Sequence, residues 1–215
     1  MSRPAVLLIA KGNDYAAIWK GTGVVAPPEG EWEHWVSIDT RFLPKNPGNR
    51  HGVVSVYLCT ESSDRFHEVA ARHDPEATLP TATNGQRLFA KPIECLPPTE
   101  AICKFGSKSI QDWLLANIAD PNQVNDRESF DEESRGTLEA YDEVLRAEHP
   151  LHNDTDCFAM LGGWSACFTW CYGYDEIYPW HVFEKELVVL TIADSEPWIE
   201  VFDDGSEFET FSRIT

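Results

Sequence analysis

The sequence predicts an α+β fold, mainly antiparallel β, with a helical insertion at about residues 107–149 and a C-terminal β-hairpin. Three observations carry this. Short β-branched or alternating runs fill the first hundred residues, separated by Gly, Pro, Asn and Asp. Two stretches between 108 and 149 place apolar residues at helical spacing. At the end of the chain, two alternating runs flank Asp203-Asp204-Gly205-Ser206.

Taken in order, Ala5–Lys11 and Tyr15–Lys20 are short apolar strands divided by Gly12-Asn13-Asp14, a turn sequence. Pro27-Pro28-Glu29-Gly30 and Pro44–Gly48 are loops by composition. His34–Thr40 alternates, which assigns Trp35, Ser37 and Asp39 to one face and Val36 and Ile38 to the other. Gly52–Thr60 is rich in β-branched residues and suits a half-buried or fully buried strand. Asp64–Ala71 could pair back onto it across Glu61-Ser62-Ser63. Asp74–Gly85 reads as loop and Pro92–Pro98 as extended chain.

The first expected helix spans about Lys108 to Ala119, with Ser107 or Ser109 as N-cap and Asp120-Pro121 as its stop. Ile110, Trp113, Leu114 and Ile118 form its apolar stripe. The second runs from about Glu132 to His149, burying Leu138, Tyr141 and Leu145 and ending at Pro150. Strands then resume at Cys157–Leu161, Phe168–Tyr172 and Glu186–Ala193, the last reading as a central strand. In the terminal hairpin, Trp198–Phe202 and Glu207–Ile214 are the strands, with Glu200, Glu207 and Glu209 expected on exposed faces. No repeat or clean linker divides the chain, so a single domain over 1–215 is expected.

Charge is the strongest functional signal. Residues 1–119 hold 13 Asp+Glu against 12 Lys+Arg, a net of −1, whereas residues 120–215 hold 23 against 5, a net of −18. Self-repulsion opposes compaction, so folding does not need this asymmetry. A carboxylate-rich surface can mimic phosphates and steer a cationic partner. The expected function is therefore a non-enzymatic acidic binding protein that neutralises a basic protein partner, such as a bacterial toxin-immunity or antagonist protein. Asp131, Glu132, Glu133, Glu139, Asp142 and Glu143, on or beside the second helix, are its candidate contact residues. The same charge disfavours nucleic acid and anionic membranes.

Catalytic signatures are absent: there is no phosphate-binding loop, Gly-x-Gly-x-x-Gly, His-Glu-x-x-His or Gly-x-Ser-x-Gly. The alternative function, a small-molecule-binding protein or hydrolase, rests on the aromatic and carboxylate segment 164–181. There Trp170, Tyr174, Asp175, Trp180 and His181 could line a pocket, with Asp175 or Glu176 and His181 as acid and base. His149, His152, Asp154 and Asp156 are the best metal candidates, but Pro150 prevents one helix from aligning both imidazoles, so no cofactor is expected. The six cysteines sit mostly in apolar runs and read as free thiols. The apolar run Ala5–Ala10 is too short for a signal-peptide core, and a cytoplasmic protein is expected.

Around residues 160–202 the chain resembles the YwqG-like family of bacterial proteins of unknown function. The residues concerned are Leu161-Gly162-Gly163-Trp164, the apolar strand Leu187–Ile192 and Asp194-Ser195-Glu196, with Ser165 where that family usually has Pro. The resemblance implies a bacterial, mainly β protein and assigns no catalytic residue.

Overall fold

The computed structural model describes residues 3–44, 46, 48–60, 68–95, 157–163, 188–192, 198–203 and 205–213. Ten strands lie among them: β1 (Arg3–Ile9), β2 (Tyr15–Trp19), β3 (Trp32–Asp39), β4 (Val53–Cys59), β5 (Val69–Asp74), β6 (Gln86–Cys95), β7 (Cys157–Gly162), β8 (Val188–Ile192), β9 (Trp198–Asp203) and β10 (Phe208–Arg213). All pair antiparallel in one sheet of order β10-β9-β8-β7-β1-β6-β2-β3-β4-β5. The α+β expectation is corrected accordingly. The described residues are nearly all antiparallel β, and their only helical element is a 3-10 turn at Thr40–Phe42. The helical insertion expected at 107–149 lies outside the described residues.

The described strands curl into a half-barrel that gathers their apolar side chains on one face. Register shifts interrupt four of the nine pairings, β1–β7, β2–β6, β3–β4 and β8–β9, and such bulges increase local twist and bend. Curling brings the edge strands together: the Thr210 hydroxyl, on β10, donates to the Val69 carbonyl, on β5, at 2.8 Å. Between them the sheet buries Val6, Leu8, Trp19, Ile38, Val56, Leu88, Leu161, Ile199 and Val201 in one apolar cluster. Each fully buried Leu or Ile adds about 1.5–3 kcal/mol over its exposed state.

A second contact ties the two ends of the sheet. Arg50, just before β4, donates from Nε and Nη2 to Asp203 Oδ2 and Oδ1 at 2.7 and 2.9 Å. Asp203 is fully buried, and the Arg50 guanidinium stacks 4.5 Å from the centre of the Phe208 ring. Asp203 also accepts the Gly205 N–H at 2.7 Å, so one carboxylate both shapes the β9–β10 turn and binds the far end of the sheet.

β6 lies between β1 and β2 although Pro92 sits inside it. The Ala90 N–H points toward β2, donating to the Asp14 carbonyl at 2.8 Å, and the nitrogen two residues on points the same way. The β2–β6 register ends at Tyr15 opposite Phe89, so Pro92 faces away from β1 at a level beyond that ladder. No hydrogen bond of that ladder is lost. Glu200, expected at the surface, is 1% exposed and engaged in interactions on the face of β9 opposite Ile199 and Val201, whereas Glu207 is exposed as expected.

Candidate functional site

The most concentrated polar chemistry among the described residues lies on the outer face of β3 and β4. It begins with a bulge. His34 stands opposite Tyr57 and Val36 opposite Val56, leaving Trp35 without a partner in the register. Residues three apart on a regular strand point to opposite faces. The extra residue here puts His34 and Ser37 on the same face, while Trp35 turns into the apolar cluster with Val36 and Ile38. The even alternation that groups Trp35 with Ser37 is therefore corrected, and the bulge is the reason.

His34 Nε2 lies 2.8 Å from Ser37 Oγ, which lies 2.7 Å from Ser55 Oγ on β4. Both serines are fully buried and His34 is 6% exposed. Residues 20–25 run over this row as a strap. Val24 N–H donates to Ser37 Oγ and Val25 N–H to Ser55 Oγ, each at 3.1 Å, and the Tyr57 hydroxyl donates to the Val25 carbonyl. At its start, Lys20 N–H donates to the carbonyl of Trp35 at 2.7 Å. Thr22 N–H donates to Asn84 Oδ1 at 3.0 Å, which ties the strap to the β5–β6 connection. Gly23 has to be glycine on grounds of space, since a Cβ there would overlap the Tyr57 phenol.

Proton counting constrains the row. The Ser37 hydroxyl has one proton to donate and two acceptor positions, one of them taken by Val24 N–H. It therefore donates to either His34 or Ser55 and accepts from the other. Burial holds the His34 pKa below its ordinary value, so the ring is neutral near pH 7, and burial also raises the pKa of Tyr57. His34 Nδ1 makes no hydrogen bond among the described residues, although the backbone of Lys20, Gly21 and Val36 surrounds the ring.

A histidine nitrogen within 2.8 Å of a serine hydroxyl is the spacing of a general base and its nucleophile. Here, however, no group among the described residues orients Nδ1, and the strap's own N–H groups occupy the serine oxygens. In this conformation the row pins the strap to the sheet.

The sites expected from sequence fall elsewhere. Asp131, Glu132, Glu133, Glu139, Asp142 and Glu143 lie outside the described residues, as do Trp170, Tyr174, Asp175, Trp180 and His181 and the metal candidates His149, His152, Asp154 and Asp156. No group of three or more His, Cys, Asp or Glu among the described residues is placed to hold a metal. The serine row was missed because Ser37 and Ser55 look like incidental small residues. The signal was available: each is a serine between two β-branched neighbours, Val36 and Ile38 in one strand and Val54 and Val56 in the other. Compared with known protein families, curated proteins and solved structures, the chain matches none.

Proposed function

We propose that the protein is a non-enzymatic acidic binding protein that neutralises a basic protein partner, in the manner of a bacterial immunity or antagonist protein, and that it works in the cytoplasm. The carrying observation is the charge division, −18 in residues 120–215 against −1 before them. The strand order supports the reading. β7 to β10 all come from the acidic part of the chain and lie side by side at one end of the sheet, with β1 to β6 at the other. A division along the sequence is thus also a division across the sheet. Among the described acidic residues of that part, Asp203 is neutralised internally by Arg50 and Glu200 is buried, so the reading rests on the charge of the sequence as a whole. A free thiol at Cys59 suits a reducing compartment. No helix among the described residues is long and apolar enough to cross a membrane.

The test is capture of partners from a bacterial lysate on the immobilised protein, at about 50 and about 200 mM salt, which brackets physiological screening. A parallel capture uses a variant with Asp131, Glu132, Glu133, Glu139, Asp142 and Glu143 changed to Asn or Gln. The expected result is a basic protein retained at the lower salt, weakened at the higher and lost from the variant. Recovery of no basic protein at either salt sinks the reading.

A further inference from the structure

The strap over the serine row differs from the strands beneath it in how it is held. Among the described contacts of Val24 and Val25, the anchors are side-chain oxygens of Ser37, Ser55 and Tyr57 rather than ladder bonds. Its two glycines, Gly21 and Gly23, leave it few side chains of its own to bury, and Gly21 sits at φ +80°. The segment lies against His34, where an ideal Cβ on Gly23 would approach the ring carbon Cδ2 to 2.9 Å. Residues 20–25 thus cover part of this imidazole, whose residue is 6% exposed.

We propose that residues 20–25 form a proton-gated flap, seated while His34 is neutral and lifted when His34 becomes an imidazolium. The inference stands on the bulge geometry and not on the acidic-partner reading. A neutral ring suits the seated state: with its proton on Nε2 it donates to Ser37 and Ser37 to Ser55, and the unpartnered Nδ1 carries no proton. An imidazolium adds a second N–H at Nδ1, a buried position with no hydrogen bond among the described residues, so the seated strap leaves a charged donor unsatisfied.

The added charge then has to be held in a closed space. From β3 the neighbouring charge is Glu33, which lies 3.9 Å from the Lys20 ammonium. From β4 the facing group is Tyr57, its ring centre 5.4 Å from that of His34. From the strap it is Lys20, whose ammonium sits 4.9 Å from the centre of the Trp35 ring. None of these is a carboxylate against the imidazole. Lifting the flap hydrates the charge and exposes the His34, Ser37, Ser55 and Tyr57 row on the outer face of β3 and β4.

The experiment is amide hydrogen exchange on the full chain at about pH 7.5 and about pH 5, corrected for intrinsic exchange rates, with the His34 ring titrated by NMR in parallel. Expected is a loss of protection at Val24 and Val25 of up to about tenfold per pH unit as pH falls from the ordinary imidazole value of about 6.5 to the His34 midpoint, while Val54 and Val56 in β4 keep theirs. In His34→Gln, which cannot be charged, strap protection should not vary with pH. Three results would overturn the proposal. They are unchanged strap protection while His34 titrates, equal pH-dependent opening in the glutamine variant, and a His34 that stays neutral until the whole protein unfolds. The ring titration and strap exchange are both read in the unaltered protein, so the test stands even if the variant fails to fold.

Discussion

Replacing the buried Asp203 by Ala should be among the most damaging single changes in β9. The substitution removes two charge-assisted bonds from Arg50, at 2.7 and 2.9 Å, and the 2.7 Å bond from Gly205 that shapes the β9–β10 turn. Truncating one partner of a buried ion pair costs about 3–5 kcal/mol. The turn bond adds about 1 kcal/mol. Arg50 retains 14% exposure and can be partly hydrated, which favours the lower end, so the expected loss is about 3–4 kcal/mol. With a urea m-value of about 2 kcal/mol/M, the midpoint should fall by about 1.5–2 M. Arg50→Met should cost a similar amount. The double variant Arg50→Met/Asp203→Leu should recover much of the loss, because a buried pair replaced by packed apolar groups is close to neutral. A loss below about 1 kcal/mol for Asp203→Ala would refute the reasoning, since that is the worth of an exposed bridge.

Thr210→Val should cost about 1 kcal/mol by removing the bond that closes the seam at Val69, read by urea unfolding. Gly23→Ala should cost about 1–3 kcal/mol and accelerate amide exchange at Val24 and Val25, because its methyl displaces the strap from Tyr57. Pro92→Ala adds an N–H that faces away from β1, so it should gain no ladder bond and destabilise by no more than about 1 kcal/mol through the freer unfolded chain. A stabilisation above 1 kcal/mol would show that the proline had cost the sheet a bond. The lowered pKa of His34 makes its contribution to stability complete above the ordinary value of 6.5 and lost as pH falls through the folded value. Urea unfolding from about pH 7.5 to about pH 5 should show this slope, at most about 1.4 kcal/mol per pH unit, and His34→Gln should flatten it.

Strands announced by composition were legible in the sequence. The run Val53–Cys59 needs no tertiary information, and Asp203 to Ser206 between alternating runs marks the terminal hairpin. What was hidden depended on geometry that composition does not carry. The Trp35 bulge changes which side of the sheet His34 and Ser37 occupy, and a period-two reading cannot register one extra residue. β6 was obscured by Pro92, whose tolerance depends on where the neighbouring strand stops. Asp203 reads as turn chemistry, and its role as the partner of a residue 153 positions away appears only once the sheet has curled. The α+β assignment rested on apolar stripes at 108–149, outside the described residues, whereas the described residues are nearly all antiparallel β.

The position of β1 has a consequence for how the chain assembles. β1 pairs with β6 on one side, Ala5 opposite Ile93, and with β7 on the other, Ala5 opposite Gly162. During synthesis, all six strands of the neutral part can find one another before β7 leaves the ribosome. That partial sheet has β1 as one open border, and it waits through about sixty further residues for the strand that covers it. The last event is then meeting β5 with β10, strands at opposite ends of the sheet joined here by residues 141 positions apart, and pairings so distant in sequence make for slow folding. The protein should therefore be most prone to aggregation while it is being made, with the unpaired border of β1 as the point of failure.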